Sequence, residues 1–197
     1  MAMLDPIRFF ERIWPDVRFF DKQEEVLRSL VTNDITVCVA GHQLGKDYIA
    51  GASCLYFFLT RHPVRVVTTS IRSDHMRVLW GEIGHFVQTA KYPLEADNGG
   101  PLVLNHWDFR KVVHGKVCPI SYLRGIVSEK GEGMAGHHAE HTLAVLDEAS
   151  GIDDVVFERV QTWAKRILVI GNPYPPQVGC TFFQKTVKAG DVLAKGV

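Results

Sequence analysis

The first residues of the sequence that could do chemistry form a loop that ends in Gly-Lys. An apolar run at 35–40 leads into this loop, which reads Gly41-His42-Gln43-Leu44-Gly45-Lys46-Asp47. A strand, a loop and then a helix place backbone N–H groups and a helix N-terminus around an anion. Gly45 lets the backbone come close, and Lys46 reaches the β- and γ-phosphates as a point charge. The sequence therefore predicts phosphate binding by residues 41–47.

Two positions depart from the usual pattern of such a loop. Ala40 stands in place of a first glycine, and Asp47 stands in place of the serine or threonine that normally binds Mg²⁺. A carboxylate is also an acceptable Mg²⁺ ligand, so Asp47 is a candidate for the metal site. Its charge is expected to weaken nucleotide binding unless the metal screens it. The alternative is a glycine-containing turn that carries a chance lysine.

Two acids follow a second apolar run at 143–146. A buried strand there would deliver Asp147 to its carboxyl end, beside the phosphate loop. Asp147 could hold the water shell of Mg²⁺, and Glu148 could polarise an attacking water as general base. Alternatively, Asp147 caps a following helix and Glu148 lies in its first turn, where the helix dipole favours an acid.

Two amides complete the set of candidate site residues. Asn172 follows the apolar run 167–170 and could contact the γ-phosphate or the attacking water; a simple Asn-Pro turn is its alternative. Gln23 precedes the first strand and could exchange two hydrogen bonds with the adenine edge. Its alternative is a solvated helix residue.

The elements that must position these residues follow from hydrophobic patterning. We predict helices before and after Pro15 and at 47–60, 74–90 and 153–163, and strands at 35–40, 64–69, 102–104, 111–117, 120–127, 142–146 and 167–170. This alternation predicts an α/β fold with a mostly parallel sheet covered on both faces. Ligands bind such sheets at the carboxyl ends of the strands, where the candidate residues stand. We divide the chain into a helical N-terminal segment, 1–34, with the adenine contact, and a core, 35–197.

Composition excludes several classes of protein. The 197 residues include 22 Lys plus Arg and 22 Asp plus Glu, and 46% are hydrophobic, which suits one globular domain and excludes a disordered chain. A net charge of zero argues against a wholly basic nucleic-acid coat. The most apolar stretch, 49–59, is far shorter than the roughly 20 residues of a membrane span, so we expect no membrane partner. Four scattered cysteines without a CxxC are read as reduced thiols.

In this order, the motifs resemble the ATPase domain of the large terminase subunit, the DNA-packaging motor of tailed bacteriophages. The matching features are Phe19 with Gln23, the Gly-Lys loop (Walker A), Thr68-Thr69-Ser70 before a helix, Gly133-Met134-Ala135-Gly136-His137-His138 ahead of Asp147-Glu148-Ala149 (Walker B), and Gly171-Asn172-Pro173. The resemblance implies a RecA-like P-loop NTPase in which an extra strand separates the phosphate loop from the acidic strand.

The resemblance also implies a function and roles for the residues. It implies ATP hydrolysis with Mg²⁺ that drives double-stranded DNA into a capsid. The implied roles are phosphate contact for Lys46, metal binding for Asp147, general base for Glu148, coupling for Asn172 and adenine contact for Gln23. Such motors use an arginine to stabilise transition-state charge, and the candidates by position are Arg72, Arg77 and Arg124.

Partners follow from the same resemblance. They are double-stranded DNA, a portal protein and a small terminase subunit, with copies of the chain assembled as a ring, although an isolated domain can be monomeric. The expected location is the host cytoplasm, with transient docking on the viral procapsid. Members of the family carry a C-terminal nuclease domain, and we expect neither that domain nor its activity in this chain.

Three other functions remain open at this point. One is a helicase-type ATPase stimulated by nucleic acid. Another is a nucleotide-binding interaction module in which Asp47 has abolished turnover. The third is a metal protein that uses His137, His138, Glu140 and His141, although one loop rarely presents four ligands tetrahedrally.

Overall fold

Seven strands form one sheet in the computed structural model, which describes residues 5–41, 44–128, 131–175 and 177–189. Across these residues the strands are β1 (Ile35–Val39), β2 (Val64–Ser70), β3 (Leu102–Asn105), β4 (Asp108–Val113), β5 (Lys116–Val127), β6 (His141–Leu146) and β7 (Arg166–Gly171). The helices are α1 (Pro6–Ile13), α2 (Asp21–Thr32), α3 (Lys46–Thr60), α4 (Ser73–Thr89), α5 (Asp154–Gln161) and α6 (Phe182–Ala189). The last eight residues of the predicted core lie outside this description.

The strand order is β1-β7-β6-β2-β5-β4-β3. The first five strands of this order are mutually parallel, and β4 and β3 continue the sheet through antiparallel pairings. Strand β7 lies between β1 and β6, which confirms the predicted extra strand between the phosphate loop and the acidic strand. The near-continuous apolar runs of the parallel strands arise because both faces of the sheet are covered.

Helices cover the two faces unequally. Helices α1 to α4 pack on one face, in a core that includes Val66, Val145 and Leu168 of the sheet. Helices α5 and α6 pack on the other face, against residues such as Val37, Leu146 and Val169. The predicted α/β architecture with helices on both faces is confirmed. No helix in the described part of the chain is long and apolar enough to cross a bilayer.

The N-terminal helices belong to the same core as α3 and α4. The side chain of Asp5 accepts hydrogen bonds from the backbone N–H groups of Ile7 and Arg8, which fixes the start of α1. The helix ends at Ile13, and Pro15 separates it from α2 as predicted. The ring of buried Phe10 then packs against four other rings, those of Phe9, Trp14, Phe19 and Phe86.

One predicted strand is wrong. The run 111–117 was expected to be continuous, but β4 ends at Val113 and β5 begins at Lys116. His114 and Gly115, with φ of 49° and 73°, are the two central residues of a tight hairpin. A two-residue hairpin with a type I′ turn requires positive φ at both central positions. The pair His-Gly predicts such a turn less strongly than Asn-Gly does.

Strand β5 also starts earlier than the predicted 120, and it contains Pro119. A shift in the β4–β5 pairing explains why this proline is tolerated. Tyr122 pairs with Arg110 and Val117 pairs with Val112, so residues 118–121 stand opposite Lys111 alone. Proline in a sheet is confined to edges and bulges, where its missing N–H does not interrupt the ladder.

The aromatic cluster around Phe10 predicts a large stability effect. Replacing Phe10 by alanine should lower the free energy of unfolding by about 3–5 kcal/mol, because a buried ring is lost and its neighbours refill the cavity only in part. Urea unfolding followed by circular dichroism measures the change. Phe20→Ala serves as the control, because that ring is 77% exposed. Equal effects of the two substitutions would contradict the packing.

Candidate nucleotide-binding site

The candidate residues meet at one edge of the sheet. The loop 41–47 follows β1, Asp147 and Glu148 follow β6, and Asn172 follows β7. Because β1, β7 and β6 are adjacent and parallel, their carboxyl ends lie side by side. The structure thus brings together the features that the sequence placed at three separate strand ends. His42 and Gln43 of the loop lie outside the described residues.

Gly45 shapes the described part of the loop. It has φ of 71°, a left-handed conformation that strains other residues, and it immediately precedes α3 at Lys46. A Cβ atom at Gly45 would lie 2.9 Å from Nε2 of Gln23, so the glycine also lets α2 approach the loop. Leu44 is exposed and Gly41 is half-buried. Gly45 therefore allows the close approach of α2 to the start of α3.

Gln23 has a structural task as well as its predicted one. Its side chain is 9% exposed, and its Oε1 accepts a hydrogen bond of 3.1 Å from the backbone N–H of Phe20. This contact caps the first turn of α2 and holds the amide against Gly45. Nothing in the geometry tests the contact with adenine, which stays a prediction.

A buried ion pair joins the phosphate loop to the acidic strand. The ammonium group of Lys46 donates to Oε1 of Glu148, and the side chains are 7% and 17% exposed. The second carboxylate oxygen, Oε2, accepts a hydrogen bond of 3.4 Å from Nδ2 of Asn172. Glu148 therefore links the ends of β1, β6 and β7.

The backbone of Glu148 is strained in a way that serves this contact. Its φ of 52° and ψ of 44° are left-handed, which is uncommon for a residue with a side chain. Across the described residues 147–151, neither acid accepts a capping hydrogen bond from the short 3₁₀ turn Ala149–Gly151. The alternative interpretation of the acidic pair as a helix cap is therefore wrong.

Asp147 is buried beside this pair without a partner of its own. The residue is 1% exposed, and neither carboxylate oxygen has a hydrogen-bond partner among the described residues. Burial raises the pKa of Asp147 to about 7, with the charges of Asp47 and Glu148 acting in the same direction and Lys46 opposing them. A buried carboxylate with two unsatisfied oxygens fits a divalent cation or its bound water.

Asp47 is the second candidate metal ligand. It lies half-buried in the first turn of α3, and burial raises its pKa while the adjacent Lys46 lowers it. No group of three or more His, Cys, Asp or Glu side chains in the described ranges has metal-binding geometry. Mg²⁺ commonly uses one or two carboxylates together with substrate phosphates and water, so a pair of acids suffices.

The histidine loop is structural. His137 is buried, and its two ring nitrogens contact the hydroxyl of Tyr122 at 2.6 Å and the carbonyl of Gly133 at 2.7 Å. The indole N–H of Trp163 donates to the carbonyl of Met134 at 2.6 Å. Because both nitrogens of His137 are engaged, and because the described residues contain no metal cluster, the zinc hypothesis is wrong.

The three candidate arginines occupy different surroundings. Arg72 and Arg77 are exposed near the start of α4, and both pair with Asp74. Arg124 lies in the middle of β5, where its guanidinium pairs with Asp108 at 2.7 Å. Contact of any of them with a phosphate stays a prediction.

Sequence reasoning missed a cluster of arginines on one face of the sheet. The guanidinium carbons of Arg65, Arg110 and Arg124 lie 5.3, 5.0 and 4.9 Å from the centre of the Tyr122 ring. Asp108 pairs with Arg110 and Arg124. We call these three arginines the arginine cluster. The sequence shows each arginine within a strand run, but it does not show that β2, β5 and β4 pair side by side and bring the three arginines together.

Comparison with known proteins supports the family resemblance. No protein-family model matches the chain. The chain is 25% identical over 170 residues to the probable large terminase subunit of Enterobacteria phage P7. The alignment covers 79% of this chain and 32% of that protein. The chain thus spans about a third of the length of this relative.

Solved structures show the same fold. The large terminase ATPase domain of Thermus phage P74-26 matches with a TM-score of 0.61 and 17% identity, over 90% of this chain and 72% of that one. The large terminase of a second, thermophilic bacteriophage matches with a TM-score of 0.62 and 12% identity, over 87% of this chain and 43% of that one. The same thermophilic phage protein in complex with ADP has a TM-score of 0.59.

The strand order and the matching solved structures show that the chain has a RecA-like α/β fold with a mostly parallel sheet. Among such domains, its sequence relative and its structural neighbours are large terminase subunits and their ATPase domains. The predicted resemblance to that family is confirmed.

The raised pKa of Asp147 predicts a pH-dependent stability. Its folded pKa of about 7 exceeds the ordinary value of 3.8, so between these values the folded chain binds more protons than the unfolded chain. Stability contributed by the protonated carboxyl is lost as the pH rises through this window. Asp147→Asn should therefore stabilise the chain at pH 8, and the gain should shrink toward pH 4.

Urea unfolding in EDTA, without nucleotide, measures this difference. The control is Glu158→Gln, because Glu158 is exposed on α5 and its replacement should change the free energy of unfolding little. A stability gain of Asp147→Asn that is the same at pH 5 and pH 8 would show an ordinary pKa for Asp147.

Proposed function

We propose that this domain hydrolyses ATP with Mg²⁺ and serves as the motor that drives double-stranded DNA into a viral capsid. The observation that carries the proposal is the meeting of Lys46, Glu148 and Asn172 beside the buried Asp147, at the carboxyl ends of three adjacent parallel strands. The confirmed resemblance to large terminase subunits supplies the biological setting.

The residues of the site divide into three tasks. Backbone N–H groups of the loop 41–47 and the side chain of Lys46 bind the phosphates, and Gln23 lies beside the loop to contact adenine. Asp147 and Asp47 would hold Mg²⁺, which would neutralise negative charge on the phosphates. The ADP complex of the thermophilic phage terminase supports nucleotide binding at this fold.

Glu148 and Lys46 change partners when nucleotide binds. Without nucleotide, the Lys46 ammonium is held by Glu148. The phosphates of ATP carry more negative charge than one carboxylate, so they draw Lys46 to themselves and release Oε1 of Glu148. The free carboxylate then accepts a proton from a water molecule, whose oxygen attacks the γ-phosphorus as the bond to the bridging oxygen breaks.

Asn172 positions that reaction. Its Nδ2 donates to Glu148, and its Oδ1 is buried without a partner among the described residues. An oxygen so placed can accept a hydrogen bond from the attacking water. In this arrangement Asn172 would contact both the base and the attacking water, so loss of the γ-phosphate would change its surroundings, which suits the coupling role that the resemblance implies.

The arginine cluster offers a surface for DNA phosphates. Three guanidinium groups face one carboxylate, so the patch carries an excess of two positive charges although the net charge of the chain is zero. No carboxylate pairs with Arg65 within the described part of the chain; its guanidinium donates to two backbone carbonyls at 3.4 Å. Its charge is therefore available to an anion.

The remaining partners rest on the family resemblance. A portal protein, a small terminase subunit and a ring of copies around the DNA would make up the working motor. In that setting, the protein acts in the host cell and docks transiently on the procapsid. An arginine of the same or a neighbouring copy would stabilise the transition state, with Arg72 and Arg77 exposed near the carboxyl edge.

Substitution of the general base tests the hydrolase. Glu148→Gln should bind ATP with Mg²⁺ but hydrolyse it at least about 100-fold more slowly, because an amide cannot accept the proton of water. Glu158→Gln, the same chemical change at an exposed site, should keep its turnover. Lys46→Ala should fold and lose nucleotide binding. Phosphate release measures the rates, and equal rates for the Glu148 and Glu158 variants would contradict the assignment.

The same assay separates the alternative functions. Stimulation of turnover by duplex DNA supports the packaging motor, whereas stimulation only by single strands supports a helicase-type ATPase. Tight ATP binding without turnover in the unmodified chain, with or without DNA, supports an interaction module in which Asp47 has abolished hydrolysis.

Replacing Arg65 tests the DNA surface. Arg65→Ala should weaken binding to duplex DNA and reduce the slope of log affinity against log salt by about 1, because one phosphate contact is lost. Arg8→Ala removes the same charge from the exposed surface of α1 and should leave the slope unchanged. Fluorescence anisotropy over a salt series measures both variants. An identical slope for both would exclude Arg65 from the interface.

A further inference from the structure

Buried polar groups without hydrogen-bond partners concentrate at the carboxyl edge of the sheet. Within the described ranges, eight side chains contain such an atom, and six of them lie at strand ends of this edge or in the first turn of α4. These six are Thr69, Ser70, His75, Ser128, Asp147 and Asn172. Such groups are expected to bind a polar ligand, because burial without a partner is unfavourable.

Ser70 lies directly beside Asp147. Thr69 pairs with Leu146, and the backbone N–H of Asp147 donates to the carbonyl of Thr69 at 2.9 Å. Ser70 and Asp147 are the next residues of the two parallel strands, so their backbones are about 4.8 Å apart. Ser70 is fully buried, and its hydroxyl has no partner among the described residues.

The two side chains also share a face of the sheet. Thr68, two residues before Ser70, accepts a hydrogen bond of 3.0 Å from the indole of Trp80 in α4. Val145, two residues before Asp147, lies in the core formed with α1 to α4. Because side chains alternate along a strand, Ser70 and Asp147 both face the side on which α3 begins at Lys46. Thr69 faces the opposite side.

We propose that Ser70 is a positioning residue for the divalent cation, whose hydroxyl holds the metal or its bound water together with the carboxylate of Asp147. The phosphate loop lacks the usual hydroxyl because Asp47 occupies that position, and Ser70 supplies a neutral oxygen from β2 instead. A neutral donor suits a site that already contains the carboxylates of Asp47, Asp147 and Glu148. This inference rests on the proposed function.

Mn²⁺ binding tests the inference without relying on turnover. Mn²⁺ prefers the same oxygen ligands as Mg²⁺, and its free concentration is measured by electron paramagnetic resonance. In the complex with ADP, Ser70→Ala should weaken Mn²⁺ binding roughly 10-fold, as loss of a group that supports a metal does. Ser53→Ala removes a buried hydroxyl in the interior of α3 that also has no partner among the described residues, and it should leave Mn²⁺ binding unchanged. Affinity for ADP in EDTA should stay the same in both variants.

A second variant separates metal contact from a structural effect. Ser70→Cys keeps the size of the side chain but presents a soft sulfur, so the ADP complex should lose affinity for Mn²⁺ and gain affinity for Cd²⁺ relative to the unmodified chain. A purely structural role would not reverse this preference. Thermal unfolding shows whether Ser70→Ala folds. If that variant does not fold, Ser70→Cys still tests the contact with the metal.

The outcomes distinguish the two proposals. If the Ser70 variants bind Mn²⁺ as the unmodified chain does while Asp147→Asn binds it weakly, the role of Ser70 is refuted and the proposed function stands. If the unmodified chain binds neither ADP nor Mn²⁺ with ADP, the proposed function fails and the role of Ser70 fails with it.

Discussion

The buried contact between Lys46 and Glu148 is the interaction on which the rest of the site depends. It ties the start of α3 to the end of β6, and the bond from Asn172 adds the end of β7. A buried ion pair is a poor source of stability, because desolvation offsets most of the attraction. The left-handed backbone of Glu148 adds further unfavourable energy. Both features are expected of a site in which a bound anion would replace Glu148 as the partner of Lys46.

Negative charge is the second constraint on this edge of the sheet. Asp47, Asp147 and Glu148 lie around one lysine, and their mutual repulsion raises the pKa of Asp147 beyond the effect of burial. A divalent cation at the proposed site would relieve this repulsion. A serine in place of Asp47 would leave less repulsion to relieve. The unusual residue in the loop would therefore make the proposed site more dependent on a metal ion than an ordinary phosphate loop is. The number of buried oxygens without hydrogen-bond partners around Asp147 also favours a cation at this edge.

The sequence predicted what depends on patterns within one segment. Apolar runs followed by Gly-Lys, by two acids or by Asn-Pro identified β1, β6 and β7 and the residues at their ends, because a buried parallel strand leaves a clear hydrophobic signal. The arginine cluster could not be predicted, since it forms only when β2, β5 and β4 pair side by side. The hairpin at His114 was missed because its turn residues are weak signals, and Ser70 gains its place only through the register of β2 with β6.

Strand β2 connects the two surfaces that a packaging motor would need to couple. Arg65 stands near its start, on the face of the arginine cluster, and Ser70 stands at its end beside Asp147. A strand paired on both sides is too rigid to transmit a signal by bending. The loop that contains Gly133 and His137 is a better route, because His137 contacts Tyr122, beside whose ring the arginine cluster lies, and β6 follows this loop directly. Because Asp147 and Glu148 directly follow β6, a shift of Tyr122 caused by DNA at the proposed arginine surface would reach the proposed base, Glu148, through one continuous segment of chain.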